Sequence, residues 1–407
     1  MSEGAASRTR PDRRAGRHGG SRTAAACDVT IVARDIGPVG GMERQLSELV
    51  AGLVRRGHAI TVIARTCELP VGVEVDFHRV WAPPRPFLLS YPWFLLAGSL
   101  VLRRRRRGLV QGTGAVVLNR VDVVAVHYCQ QVGPATASRP TALFRAHVKL
   151  AGALKRLAER VCFRINRSAA FVCVSRGVAE ELSEHFPDVA ERVVTIHNGV
   201  DGEAFAPGVR GERARAWRVA LGIPRGRLVA AFVGGEWERK GLATVIRALA
   251  LADWDLVVAG GGDRRHYQRL ADSLGVGAKV RWLGVVRDMP LVYQLADAFV
   301  SASSYETFSL PAFEAAASGL PIVATAVSGV EELLQDGRNG FLVVPAPDAI
   351  AQRLALLAAD PQLRSRLGRA ARRAALAFGS ERMVREHHVL YTRLAGASAG
   401  RRASARR

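Results

Sequence analysis

The sequence predicts an α/β protein of two domains, and three observations lead there. At 407 residues the chain is too long for one ordinary hydrophobic core, so two or three are expected. Apolar runs of strand length alternate with segments of helical period, the pattern of parallel strands flanked by helices. A strand from 28 runs into a glycine turn at 37–41, a helix and a second strand at 59–64, which is how nucleotide-binding α/β folds open.

Composition narrows the class. Hydrophobic residues make up 49 % of the chain, enough for sizeable cores. The five cysteines, Cys27, Cys67, Cys129, Cys162 and Cys173, are odd in number and form no C-x2-C pair. That argues against a disulfide framework or a zinc site and fits a reducing cytosol. The formal net charge of +22 is uneven: residues 1–26 carry +4, 396–407 carry +4 and 103–107 carry +5, so 13 of the 22 charges sit in three short segments. Such runs suit anionic surfaces. No aromatic residues interleave with the basic ones, so nucleic acid is not an expected partner. No window reaches the ~18–20 apolar residues of a membrane span, and the Arg-, Gly- and Ser-rich start lacks a secretory h-region. A cytoplasmic protein is expected.

In chain order, residues 1–26 read as a disordered basic tail. A strand at 28–34 leads to Gly37-Pro38-Val39-Gly40-Gly41 and a helix at 42–56, with Leu46, Leu49, Val50 and Leu53 at helical spacing. Gly57-His58 ends it before a strand at 59–64. The loop is not G-x-G-x-x-G, which argues against a dinucleotide cofactor. Gly40 and Gly41 let backbone N–H groups approach a diphosphate or an acceptor; the alternative is a plain tight turn. Glu43 is read as capping the helix, with acceptor contact the weaker reading, and His58 as structural. After a strand at 73–80, residues 87–102 are apolar and aromatic-rich and run into five arginines. This segment has two readings: a core-facing helix whose arginines suit its C-terminal dipole, or a surface that docks on an anionic membrane. Strands follow at 109–111 and 121–126, the second ending on His127, where α/β folds place their ligands. A basic helix at 141–168, a strand at 171–175, a helix capped by Ser175, and the turn at Asn198-Gly199 close the first half. Asn198 is a minor site candidate, and 202–226 reads as a polar linker.

The second half opens with a strand at 228–233 and Gly234-Gly235-Glu236-Trp237-Glu238-Arg239-Lys240-Gly241. Asp253-Trp254-Asp255 spells a D-x-D metal motif but sits before a strand with no phosphate loop beside it, and is read as accidental. A strand at 256–259 ends in three glycines, and another at 280–286 carries Gly284 and Val285. The strand at 295–301 feeds Ser304-Tyr305-Glu306-Thr307-Phe308-Ser309-Leu310-Pro311-Ala312-Phe313-Glu314. This stretch places two glutamates eight positions apart on a loop entering a helix, with Pro311 suited to the first turn. Free N–H groups at the helix start suit phosphate. One carboxylate can hold a sugar hydroxyl and the other a ribose, through charge-assisted bonds; the alternative is ordinary surface charge. Helices at 348–358, 361–377 and 380–394 complete the fold.

Taken together these motifs resemble the retaining glycosyltransferases of family 4, over residues 28–394. The carriers are the E-x7-E element Glu306 to Glu314 with the following Ala315-Ala316-Ala317-Ser318-Gly319-Leu320-Pro321-Ile322-Val323-Ala324-Thr325, the "GG-x-E" loop at 40–43, the "RKG" variant at 239–241, the strand-end His127 and "NGVD" at 198–201. Two departures are Ser309 and Gly235, where many members carry Gly and Arg.

The resemblance implies the GT-B fold, two Rossmann-like domains facing a central cleft. Its parts would be an acceptor domain at 27–205, a nucleotide-sugar domain at 206–378, a helix at 379–395 packing back on the first domain, and a disordered basic tail at 396–407. It implies hexosyl transfer from a UDP- or GDP-sugar to an acceptor hydroxyl, lipid-linked where 87–107 docks on the inner face of the membrane, in glycolipid, polysaccharide or glycoconjugate synthesis, with no cofactor and no metal. The implied route is front-face attack, the leaving phosphate accepting the acceptor's proton. Glu306 and His127 would orient the sugar, Arg239 and Lys240 clamp the diphosphate and Glu314 hold the ribose. Gly40, Gly41, Gly234, Gly284, Val285, Thr307, Phe308, Ser309 and Leu310 would line the substrate. The rival readings are a GT-B sugar-nucleotide epimerase and, from charge alone, a nucleic-acid-binding protein.

Overall fold

The computed structural model describes residues 26–404 apart from 84–85, 133–141 and 209–210. Two parallel sheets organise it. The first has seven strands in the order Asp76–Arg79, Ala59–Ala64, Asp28–Val32, Leu109–Thr113, Val123–Val126, Ala170–Cys173, Val193–Thr195. The second has six, in the order Val280–Gly284, Asp255–Ala259, Val229–Val233, Ala298–Ser301, Ile322–Thr325, Phe341–Val343. Parallel strands covered on both faces must be apolar throughout. Val29, Ile31 and Val32 in one sheet, and Val229, Ala230 and Ala231 in the other, accordingly have no exposed surface.

The strand order positions the site. In each sheet the opening strand lies between neighbours reached by crossovers in opposite directions, and ligands of open α/β sheets settle at the carboxyl ends beside that reversal. In the second sheet the two strands there are Val229–Val233 and Ala298–Ser301. One feeds the glycine loop with Arg239 and Lys240, the other the loop with Glu306. Segments 66 residues apart are thus delivered to one place.

The helix Gly41–Arg55 buries Leu46, Leu49, Val50 and Leu53, the residues its spacing marked. Across it lies the final helix, Ser380–Ser404, so close that a Cβ at Gly52 would stand 2.3 Å from Val384. Tyr391 from that helix donates to Gln111 at 2.5 Å. His58 Nδ1 donates to the Cys27 carbonyl at 3.0 Å and its Nε2 shares a hydrogen bond with His388 Nδ1 at 2.7 Å, which ties the start of the first strand to the last helix. Ser175 caps its helix by accepting from Val178 N.

Two expectations need correction. The segment 202–226 is not a plain linker: it carries the helix Gly211–Ala220, of which only Ala214 is buried, so no apolar period announced it. Arg218 anchors it by donating to the Leu295 carbonyl at 3.0 Å. The last helix does not stop at 395 but runs to Ser404; alanines at 395, 397, 399 and 403, the best helix formers, carry it into the segment read as a tail. The expected tail at 1–26 lies outside the described residues except for Ala26.

The helix Phe87–Arg105 has two apolar faces. Tyr91, Phe94, Leu95 and Leu102 are buried, whereas Leu89 (65 %), Trp93 (50 %), Leu96 (64 %) and Leu100 (49 %) are exposed. Trp81 (66 %) adjoins this exposed stripe, edge-on to Trp93. No helix among the described residues is long and apolar enough to cross a membrane.

Candidate active site

The glycine loop is built for one lysine. Gly234 has φ of 135°, and a Cβ on it would stand 2.4 Å from Lys240 Cε, so the lysine stem crosses the space that a side chain would fill. Trp237 Nε1 donates to the Gly234 carbonyl at 2.9 Å and pins the turn. The loop is also sewn to its neighbour: Ala302 N donates to Lys240 O at 3.2 Å and Ser304 N to Arg239 O at 2.9 Å.

Glu306 sits in the middle of this arrangement, 7 % exposed. Lys240 Nζ lies 2.5 Å from its Oε1, Ser303 Oγ donates to the same oxygen at 3.0 Å, and Arg239 Nη1 is 3.4 Å from Oε2. Burial alone would raise the Glu306 pKa, but Lys240 and Arg239 outweigh it and hold the carboxyl below its usual range. Arg239 also donates to the Tyr305 carbonyl and pairs with Glu236 at 2.8 Å. The structure therefore brings Glu306, Arg239 and Lys240 into one cluster.

The helix Leu310–Ala317 begins at Ser309, whose φ of 60° is left-handed. Glycine adopts that conformation freely, which explains why a glycine suits this position. No backbone carbonyl among the described residues accepts from the N–H groups of Thr307, Phe308, Ser309 or Leu310. Phe308 stacks on Phe313 at 4.0 Å and is buried, so what it offers a ligand is backbone. Glu314, eight residues past Glu306, is buried on the same helix. Tyr293 donates to its Oε2 at 2.8 Å, and Arg44 from the first half pairs with its Oε1. Burial pushes its pKa up, against the pull of Arg44 and Tyr293.

The two halves meet here. A Cβ at Gly41 would lie 3.3 Å from Leu310, and Tyr305 donates to Glu181 at 3.0 Å. The Glu43 carboxylate folds back over Gly40. Gly284, with φ of 66°, and Val285, 71 % exposed, stand at the rim, where Gly284 O accepts from Gly260 N at 2.7 Å. His127 is placed differently from the other expected groups. It lines a cavity with Gln45, Gln111, Asn198 and His387, between the helix Gly41–Arg55 and the final helix. Burial, then the neighbouring His387, pushes its pKa down to about 4, so the ring is neutral near pH 7. No hydrogen bond among the described residues links it to Glu306.

Sequence reasoning missed Arg44, Tyr293 and Glu181. Arg44 follows the "GG-x-E" loop directly, a signal that was there to read; the other two are brought in only by the fold. Asp253 and Asp255 both pair with Arg227, at 2.6 and 2.7 Å. Among the described residues no group of three His, Cys, Asp or Glu is arranged to hold a metal.

Two family models match the chain: "Glycosyltransferase Family 4" over residues 39–204 and "Glycosyl transferases group 1" over 214–374. An uncharacterized glycosyltransferase of Methanocaldococcus jannaschii is 30 % identical over 339 residues, covering 77 % of this chain and 84 % of that protein. The crystal structure of WaaG, a glycosyltransferase involved in lipopolysaccharide biosynthesis, superposes with a TM-score of 0.76 at 19 % identity, covering 89 % of this chain and 99 % of that one. The chain belongs to the GT-B glycosyltransferases. This glycosyltransferase also resembles the D-inositol 3-phosphate glycosyltransferase of Streptomyces avermitilis, 33 % identical over 232 residues, about half of each protein (53 % and 49 %). Its fold matches Anabaena Alr3699/HepE in complex with UDP-glucose, with a TM-score of 0.69 at 18 % identity, covering 92 % of this chain and 99 % of that one.

Proposed function

We propose that this glycosyltransferase moves a hexosyl group from a UDP- or GDP-sugar to an acceptor hydroxyl, with retention and without a metal ion, as a family 4 enzyme. The observation that carries the reading is the Lys240–Glu306–Arg239 cluster beside the N–H groups of 307–310, from which no backbone carbonyl accepts among the described residues. Breaking a sugar–phosphate bond builds negative charge on the departing diphosphate. Fixed cations and a helix N-terminus stabilise that charge without reorganisation. Lys240 and Arg239 take the diphosphate, Glu306 holds sugar hydroxyls, and Glu314 receives the ribose with the lone pairs that Arg44 and Tyr293 leave open. His127, neutral, donates or accepts a hydrogen bond at the sugar without adding charge. The leaving phosphate takes the acceptor's proton on the front face. The binding of UDP-glucose by Alr3699/HepE supports the donor class. Residues 27–205 form the acceptor side and 206–378 the donor side. The relatives named are transferases, and no observation favours an epimerase.

The enzyme works in the cytoplasm on the inner membrane face. The exposed stripe of Leu89, Trp93, Leu96, Leu100 and Trp81 next to the arginines of 103–107 supports peripheral docking. The test is transfer from UDP-glucose and GDP-mannose, followed by nucleotide release, with and without EDTA. Activity that persists in chelator agrees with the scheme; a strict divalent-metal requirement contradicts it.

A further inference from the structure

In the first half two cations share one aromatic ring. Arg34 stands just past the strand Asp28–Val32, and Lys155 projects from the helix Ala142–Ile165. Both lie over the ring of Phe87, the Arg34 guanidinium carbon 5.4 Å and Lys155 Nζ 4.7 Å from its centroid. Arg34 reaches the buried Ser90 hydroxyl at 3.4 Å. The acids nearby are committed elsewhere. Asp35 receives both prongs of Arg65, at 3.0 and 2.7 Å, and the Thr66 hydroxyl at 2.6 Å. Glu236 pairs with Arg239; Glu43 is the exception, acting on Arg34 through space without an ion pair. Among the described residues neither Arg34 nor Lys155 has an acid within ion-pair distance.

Partial burial, then repulsion from a neighbouring cation (Arg65 on Arg34, Arg34 on Lys155), lowers both pKa values. Gathering like charges away from water costs free energy. The ring contacts offset only part of that cost. A cluster of this kind at the carboxyl ends of parallel strands is suited to a counter-ion from outside. Arg34 lies past the carboxyl end of the strand Asp28–Val32, the end of an open α/β sheet at which ligands settle.

We propose that Arg34, Ser90 and Lys155 form a subsite for a phosphate group carried by the acceptor. The proposal rests on reading the first half as the acceptor side. Two cations without an ion-pair partner among the described residues match a dianion, where a carboxylate would satisfy one. A guanidinium fork, an ammonium and a hydroxyl together supply the donors that a phosphate's oxygens accept. Phe87 holds both cations in place before the ligand arrives.

The test titrates inorganic phosphate into the full chain saturated with UDP, at constant ionic strength, by calorimetry. The expected result is binding that weakens at least about ten-fold in Arg34→Gln/Lys155→Gln, the loss of charge-assisted hydrogen bonds. Arg34→Lys/Lys155→Arg and a variant with glutamine at 103–107 should keep it, acetate should bind more weakly, and UDP affinity should stay the same throughout. Unchanged phosphate binding in the double glutamine variant overturns the proposal. So does a parallel loss of UDP affinity, which would assign these cations to the donor, or loss in the 103–107 variant, which would mean general surface charge. If UDP fails to bind the wild-type chain, the donor reading falls, and the same phosphate comparison on the free chain still decides this one.

Discussion

Glu306 stays ionised while buried because Lys240 and Arg239 are fixed beside it before any ligand binds. Glu306→Gln leaves Lys240 buried without its counter-charge, so it should lower stability by about 3 kcal/mol and transfer by about a hundred-fold or more. The pH sign follows from the depressed pKa. The ion pair's stabilisation is present above the unfolded value of about 4.5 and is lost as pH falls through the lower folded value. Denaturation midpoints of wild type and Glu306→Gln should therefore converge in acid. His127 and His387 behave in the opposite chemical sense. Both are held neutral with pKa values near 4, so the unfolded chain binds more protons between pH 6.5 and 4 and stability falls as pH drops through that window. His387→Asn should flatten the fall by up to about 3 kcal/mol, from roughly 1.4 kcal/mol per pKa unit. An unchanged slope in urea melts would contradict this.

Strand, glycine turn and helix were legible because each leaves a local mark: an apolar run, a residue free to take positive φ, a 3.6-residue period. Gly234 and the run from Glu306 to Glu314 could be read for that reason. The pairing of Arg44 with Glu314 could not, since 270 residues separate them and only the folded sheets bring them together. The helix Gly211–Ala220 was missed because it buries almost nothing. At this scale Gly234→Ala is the sharp test. Its Cβ would displace Lys240 and strain φ, so UDP affinity should drop at least about ten-fold, as expected for losing a charged contact, while the melting temperature shifts by a few degrees. The joint between the helix Gly41–Arg55 and the final helix offers another. Glu48 accepts from Ser380 at 3.0 Å, and burial raises its pKa to about 7. Its charge therefore destabilises the fold increasingly from pH 4.5 to 7. Glu48→Gln should stabilise by up to about 3 kcal/mol above pH 7 and by nothing below pH 4.5.

On the scale of the molecule, two sheets present their carboxyl ends to one crevice, and polar pairs span it: Arg44–Glu314, Tyr305–Glu181, and Glu332 with Arg176 (2.9 Å) and His197 (2.5 Å). On the outside, the stripe from Leu89 to Leu100 and the arginines beyond it should carry the chain to vesicles of anionic lipid. Replacing 103–107 with glutamine should release it, each arginine contributing about 1 kcal/mol; equal pelleting of both proteins would contradict docking. The reading as a whole depends on what fills the crevice, and a crystal structure with bound UDP examines that directly. The account predicts the diphosphate within hydrogen-bond distance of Lys240 and Arg239 and the ribose on Glu314. A nucleotide bound away from these three residues would contradict it.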